Sequence, residues 1–195
     1  MISFIIPAYN AENTIERAIN SILNQEHTSL EYEIIVVNDG SIDNIDEKMK
    51  KFKENNKIKY FQKENTGVAD TRNYGVEKSQ GEYIIFVDSD DYISKTLLQD
   101  IEKYIKDNID LIKWNPIFVD ENQNEISKQE SVFFEKVTGE QGFNLLFGKD
   151  NLIDCLWNYA IKKDIMLKFP TRNIPRRFCS NAANIVKSKN YGSYW

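Results

Sequence analysis

Three aspartates fall within four residues at Asp88-Ser89-Asp90-Asp91, directly behind the apolar run Tyr83–Val87. Carboxylates this close repel one another unless a cation or a network of donors offsets their charge. A divalent ion does so. Mg²⁺ and Mn²⁺ take oxygen ligands and complete their shell with substrate phosphates, so the protein needs to supply one or two carboxylates. An acidic turn capping the following helix is the other reading of the same residues. Asp39 stands in a second turn, Asn38-Asp39-Gly40-Ser41, behind the apolar run Glu33–Val37. Its carboxylate suits the N3–H of a uracil ring, while Tyr9 can stack on a base and offer its hydroxyl. Taken alone, Asp39 reads as an Asx-turn residue, and it gains a function beside the Asp-rich turn. Arg72 adds a guanidinium able to contact base or phosphate. There is no Gly-rich loop of the GxGxxG or Walker type, which disfavours a dinucleotide fold of that kind.

These residues need elements to hold them. Ile2–Pro7 reads as a strand ended by proline, and after it Ile15, Ala18, Ile19, Ile22 and Leu23 recur with helical spacing. Asn10 is a plausible cap for that helix. Glu33–Val37 is a second strand, followed by a charged helix with Ile45, Met49 and Phe52 on one face. Lys57–Gln62 is a third strand, Val68–Lys78 a helix and Tyr83–Val87 a fourth strand. The order βαβαβαβ predicts a mostly parallel sheet with helices on both faces. Ligands of such sheets bind beyond the carboxyl ends of the strands. Pro7-Ala8-Tyr9-Asn10, Asn38–Ser41, Asn65-Thr66-Gly67 and Asp88–Asp91 therefore converge on one edge. Leu97, Leu98, Ile101, Tyr104 and Ile105 mark a further helix. Leu111–Val119 and Glu130–Val137 are strand-like runs around the polar turn Asp120–Asn124. Gly139–Phe147 and Leu152–Lys162 read as short helices, and Lys187–Trp195 has no interpretable periodicity. The fold class is α/β, with a smaller mixed or antiparallel C-terminal part.

A chain of 195 residues is one domain's worth. Its longest apolar runs are strand-length, far short of a membrane span. Met1–Pro7 lacks a basic region and a cleavage site, so it reads as a strand and not a signal peptide. Cys155 and Cys179 form no CxxC pair and read as incidental thiols of a reducing compartment. A cytoplasmic location is the expectation, extending to the inner face of the membrane. The net charge of −5 hides an asymmetry, because Lys162–Trp195 carries eight basic residues against one acid. That basic end suits a solvated helix, or peripheral association with a phosphorylated or lipid surface. The acidic remainder excludes a general nucleic-acid binder.

Four segments in register over about ninety residues carry a resemblance. Ile5-Ile6-Pro7-Ala8-Tyr9-Asn10, Val36–Ser41, Asn65-Thr66-Gly67 with Arg72-Asn73 and Gly75, and Phe86–Asp91 together resemble the nucleotide-sugar half of a family 2 glycosyltransferase of the GT-A fold. The resemblance implies a single GT-A domain over 1–195, with a donor half at 1–106 and a short acceptor half at 107–195. It implies transfer of a sugar from a nucleoside diphosphate donor, UDP above all, to a hydroxyl of a surface glycan or lipid-linked precursor. Pro7, Tyr9, Asp39, Arg72, Asp88, Ser89 and Asp90 would line the donor, with Asp39 and Arg72 at the base and Asp88 near the ribose. Asp90, with Asp88, would hold Mn²⁺ or Mg²⁺. Trp157-Asn158-Tyr159 through Lys163-Asp164 resembles the segment that precedes the family's Glu-Asp pair, the source of the general base. Where that pair is expected the chain reads Pro175-Arg176-Arg177-Phe178, and a guanidinium with a pKa above about 12 is no base at neutral pH. Asp91, by proximity, and Asp150 or Asp154 are the remaining catalytic candidates. The competing readings are a non-catalytic, degenerate or truncated nucleotide-sugar-binding module, and a nucleotidyltransferase or phosphohydrolase built on the same acidic cluster.

Overall fold

In a computed structural model, residues 1–120, 124–128, 136–141, 156–169 and 185–194 are described. Strands β1 (Ile2–Ala8), β2 (Tyr32–Asp39), β3 (Ile58–Lys63) and β4 (Tyr83–Phe86) alternate with helices α1 (Ile15–Leu23), α2 (Ile45–Lys50) and α3 (Val68–Lys78). Helix α4 (Leu97–Lys106), β5 (Leu111–Val119), β6 (Glu125–Lys128), a 3₁₀ turn (Leu156–Asn158), β7 (Tyr159–Lys162), α5 (Lys163–Lys168) and β8 (Ile185–Tyr194) follow. They build one sheet of order β3-β2-β1-β4-β7-β5-β6, with β8 paired to β5. The first four strands are parallel. Strand β7 runs antiparallel between β4 and β5, so β5 points the same way as β1 and β4.

The α/β expectation with a mixed second part is met. Burial explains why the first strands read as continuous apolar runs: β1 and β4 are buried along their whole length, as strands covered on both faces must be. One core layer joins Phe4, Ile6, Ile34 and Ile85 to Ile15, Ile19 and Ile22 of α1, Met49 of α2 and Leu97 and Ile101 of α4. The other joins Ile5, Ile35, Ile84 and Phe86 to Val76 of α3 and Met166 of α5. Gly75 lets α3 lie close on β1, since a Cβ there would stand 2.4 Å from Ile5 Cγ2.

Four details differ from the sequence reading. Pro7 does not end β1: it sits inside the strand opposite Val37. The donor it lacks costs nothing, because β4 pairs with β1 only as far as Ile5 and Val87 N–H closes that ladder on Ile5 C=O at 3.0 Å. Asn10 is not the cap of α1. The helix starts at Ile15, with Thr14 and Ile15 N–H both on Ala11 C=O, while Asn10 takes φ +51°, a conformation Asn tolerates. The helix read over Leu152–Lys162 is replaced in 156–162 by the 3₁₀ turn and β7. Ala160 and Ile161 are both buried, one in each core layer, the signature of a two-faced strand, and periodicity over so few residues cannot separate strand from helix. Lys187–Trp195, read as without interpretable periodicity, pairs parallel with β5 as far as Tyr194, within β8. Strand β6 lies at Glu125–Lys128, behind the polar turn read at Asp120–Asn124; of the run read at Glu130–Val137, residues 130–135 lie outside the described residues. Gly139–Gln141 is helical as expected; the remainder of Gly139–Phe147, with Asp150, Asp154, Cys155, Arg176, Arg177 and Cys179, lies outside the described residues.

Candidate active site

Four loops meet beyond the carboxyl ends of β1 to β4, as a parallel sheet requires. The β1 and β2 loops are laced together: Asn10 N–H donates to Ser41 Oγ at 3.0 Å and Ile42 N–H to Asn10 Oδ1 at 3.1 Å. Glu12 N–H donates to Asp43 at 2.7 Å while Asn44 N–H donates to Glu12 at 2.9 Å. Pro7 is buried beneath them and Tyr9 stands 51% exposed above, an aromatic face open to a planar ligand. Behind Asp39, Tyr60 receives Asn38 Nδ2 at 2.9 Å and donates to Asp46. Burial and that carboxylate push its hydroxyl up to about 12, so it stays a donor.

Asp39 is the most heavily bonded residue of the edge. Its carboxylate accepts from the Lys63 ammonium, from Thr66 N–H at 3.0 Å and from Gly67 N–H at 3.0 Å. Burial alone would raise its pKa; Lys63, the Thr66 amide and the Thr71 hydroxyl outweigh that and hold it below the usual carboxylate value. It therefore fixes the 63–67 loop against β2. Gly40 makes the approach possible, since a Cβ there would sit 2.8 Å from Asn65 N. Of the three donors, only the Lys63 ammonium rides on a flexible stem and can give way to a ligand donor.

Arg72, one turn into α3, donates from Nη2 to Asp88 Oδ1 at 2.6 Å and stacks 5.8 Å above the Phe86 ring. Its Nε is buried with no hydrogen-bond partner, a donor left over for a ligand. Arg72 and Asp88 are thus brought together, and Asp39 ends β2, two strands away from β4 along the same edge. Along 88–91 the environments diverge: Asp88 and Ser89 are half-buried, Asp90 is exposed and Asp91 is only 6% exposed, its N–H closing a turn on Asp88 C=O at 3.0 Å. A metal is accommodated by this set. Among the described residues no group of three His, Cys, Asp or Glu could cage an ion, yet the exposed Asp90 and the free oxygen of Asp88 fit the two-carboxylate, phosphate-completed shell of Mg²⁺ or Mn²⁺.

The structure adds residues that the sequence reading passed over. Arg17 and Ser21, one turn apart on α1, and Gln25 just past its C-terminal end all reach the segment after β4. Arg17 Nη2 donates to Asp90 C=O, Ile93 N–H donates to Ser21 Oγ at 3.1 Å, and Gln25 donates to Ser94 C=O at 2.6 Å while accepting from Leu98 N–H at 2.9 Å. The i, i+4, i+8 polar stripe was visible in the sequence; its partner was not. Lys63 had no signal at all.

A sheet of this order, parallel over its first four strands and mixed beyond them, with helices on its faces, is the GT-A arrangement. Residues 3–187 match the family model Glycosyl transferase family 2, and the chain belongs to that family. Over 107 residues it is 44% identical to an uncharacterised glycosyltransferase of Rickettsia bellii, covering 55% of this chain and 15% of that protein. It is 29% identical over 167 residues to glycosyltransferase GlyA of Streptococcus pneumoniae, covering 85% and 23%. Staphylococcus aureus TarS, a poly(ribitol-phosphate) beta-N-acetylglucosaminyltransferase, is 34% identical over 108 residues, covering 54% and 19%. The crystal structure of TarS 1–349 in complex with UDP-GlcNAc superposes with a TM-score of 0.77 at 23% identity, covering 100% of this chain and 58% of that one. The chain spans less than a quarter of the length of these three relatives. Among the described residues no helix is long and apolar enough to cross a membrane.

Proposed function

We propose that the chain is the donor-binding part of a metal-dependent, inverting glycosyltransferase that moves a sugar from a UDP donor to a hydroxyl of a surface glycan or lipid-linked precursor. The observation that carries this is the Arg72–Asp88 pair, with its unused Nε donor, facing the exposed Asp90 on an edge whose fold TarS shares with UDP-GlcNAc bound. In the proposed complex, Tyr9 stacks on the uracil, whose N3–H takes the place of the Lys63 ammonium on Asp39. Arg72 turns its free donor to the nucleotide, and Asp88 receives the ribose hydroxyls. Asp90, with Asp88, would hold Mn²⁺ or Mg²⁺, an ion that would supply positive charge for a leaving diphosphate. Ser89 sits between them. Tyr9 and the 63–67 loop exclude water from the base.

The acceptor hydroxyl needs a base. Asp91 is buried within its turn, which leaves Asp150 and Asp154 of the second half as the proposed alternatives. A specific sequence feature favours a second reading, a module that binds the donor and transfers poorly: Arg176-Arg177 stand where the family base is expected. Isothermal titration of UDP and UDP-sugars with and without Mn²⁺, followed by single-turnover transfer to a panel of glycan and lipid-linked acceptors, tests both. Turnover supports the transferase, and Mn²⁺-dependent binding without turnover supports the module. Absence of UDP binding both with and without Mn²⁺ overturns the donor assignment.

A further inference from the structure

Beyond Asp88 the same sheet face continues onto β7 and β5. Ile84, Ile161 and Leu111 stand on one row, and Ile85, Ala160 and Ile112 on the next. Carrying that register one residue further aligns Phe86, Tyr159 and Lys113. Phe86 belongs to the core layer under α3, and Tyr159 packs against it. Two cations lie over this row: the Arg72 guanidinium 5.8 Å from the Phe86 ring and the Lys113 ammonium 4.8 Å from the Tyr159 ring. Two residues on, Asn115 returns to the Lys113 face of β5 by strand alternation, and Asp88 follows the end of β4. A charged and polar strip therefore runs across the sheet from the Arg72–Asp88 pair to β5.

This strip is built into the fold and is not surface decoration. Lys113 is 0% exposed and Asn115 2%, levels that lysine and asparagine rarely reach. Neither replaces a core residue by accident, because their neighbours Ile112 and Trp114 supply the opposite core layer. Asn115 Oδ1 is buried with no hydrogen-bond partner. A buried acceptor left empty is costly, and in a native chain it marks a place for a water or a ligand. The backbone singles out the same residue. The β5–β8 ladder shifts register between Trp114 and Pro116, skipping Asn115, and such irregularities re-aim side chains beside binding sites.

We propose that Lys113 and Asn115 form the sugar-reading end of the donor site, Asn115 Oδ1 accepting from, and Lys113 donating to, hydroxyl groups of the sugar carried by the diphosphate. The proposal rests on the donor reading above. A sugar held at Arg72 and Asp88 through its diphosphate extends along the strip toward β5. A hydroxyl is both donor and acceptor, and a buried ammonium and an empty carbonyl oxygen two residues apart on β5 supply the complementary kinds of group.

The test separates the sugar from the nucleotide. Titrations of UDP, UDP-GlcNAc, UDP-glucose and UDP-galactose with Mn²⁺ give, for each sugar, the ratio of the UDP dissociation constant to that of the UDP-sugar. In the unaltered chain at least one sugar should bind more tightly than UDP. In Asn115→Leu, which keeps size and removes the acceptor, that ratio should fall about tenfold, the loss of one hydrogen bond to a buried partner, while UDP affinity stays within about twofold. Lys113→Met keeps an apolar stem of similar length and should lower the same ratio, supplying the measurement if Asn115→Leu fails to fold. Ratios unchanged in the folded variants, even with a lowered melting temperature, would assign Asn115 to a buried water and overturn the proposal. So would equal affinity of the unaltered chain for UDP and all three sugars. Failure of UDP itself to bind is a different result, and removes the donor assignment first.

Discussion

Asp88, Asp90 and Asp91 carry the same carboxylate on adjacent positions but differ in what each touches. Asp88 is bonded to Arg72 and Asp91 is folded into its turn, while the exposed Asp90, among the described residues, is held through its carbonyl by Arg17. Its carboxylate is the one with room for a metal. Asp90→Asn should lower transfer by about a thousandfold, several kcal/mol of lost charge stabilisation, and should abolish the Mn²⁺ dependence of UDP affinity measured by titration. Unaltered Mn²⁺ dependence would remove Asp90 from the metal. Asp39 makes a prediction about pH. Its folded pKa lies below its ordinary value, so the ionised form is favoured by folding. The stability it contributes is complete above the unfolded pKa of about 3.9 and is lost as pH falls through the lower folded value. Denaturant midpoints taken between pH 6 and pH 2.5 should drop for the unaltered chain below about pH 4, and drop less steeply for Asp39→Asn, whose midpoint starts lower. Parallel curves would show that the Lys63, Thr66 and Gly67 contacts contribute nothing.

Helix α3 delivers Arg72, and its placement depends on Gly75 lying against Ile5. Replacement by alanine sets two effects in opposition: the helix gains about 1 kcal/mol in propensity, and the interface must absorb a methyl 2.4 Å from Ile5 Cγ2, which costs about 1–3 kcal/mol. Overpacking should win. Gly75→Ala is expected to lower the denaturant midpoint and, by tilting Arg72 away from Asp88, to weaken UDP binding too; a stabilised variant would show that α3 is free to shift. At this scale the sequence was most informative where chain order dictates geometry. Parallel strands joined by helices must bring their carboxyl ends to one edge, so the motifs after β1 to β4 could be placed together from their positions alone. Partnerships between distant residues carried no such rule. Lys63 on Asp39, and Arg17 on Asp90 across 73 residues, follow from where helices land on the sheet, which no local pattern encodes. Tyr159–Lys162 was misread because a four-residue strand whose two central residues are buried on opposite faces has neither a period of two nor one of 3.6.

The whole molecule is held together by that misread strand. The basic C-terminal stretch counts for less than its charge implies, since Lys162 is bound to Asp110 at 2.7 Å and Lys163 donates to Ser79 C=O at 2.6 Å. Both anchor the C-terminal end of β7, which seals β4 on one side and β5 on the other. During synthesis this arrangement has a cost in time. Tyr83–Phe86 leaves the ribosome 76 residues ahead of Lys162, roughly 4–15 s at 5–20 residues per second. Through that interval the nascent chain presents a fully apolar strand with an unpaired backbone, a template for any other β-strand nearby. A fragment ending at Lys106 should reproduce the interval permanently: sedimentation velocity is expected to find it self-associated, where the full chain is not, and a charge placed in β4 by Ile84→Lys should disperse it. The donor edge can be assembled early, but the protein is safe from its neighbours only once a strand from the far end of the sequence has threaded back to close it.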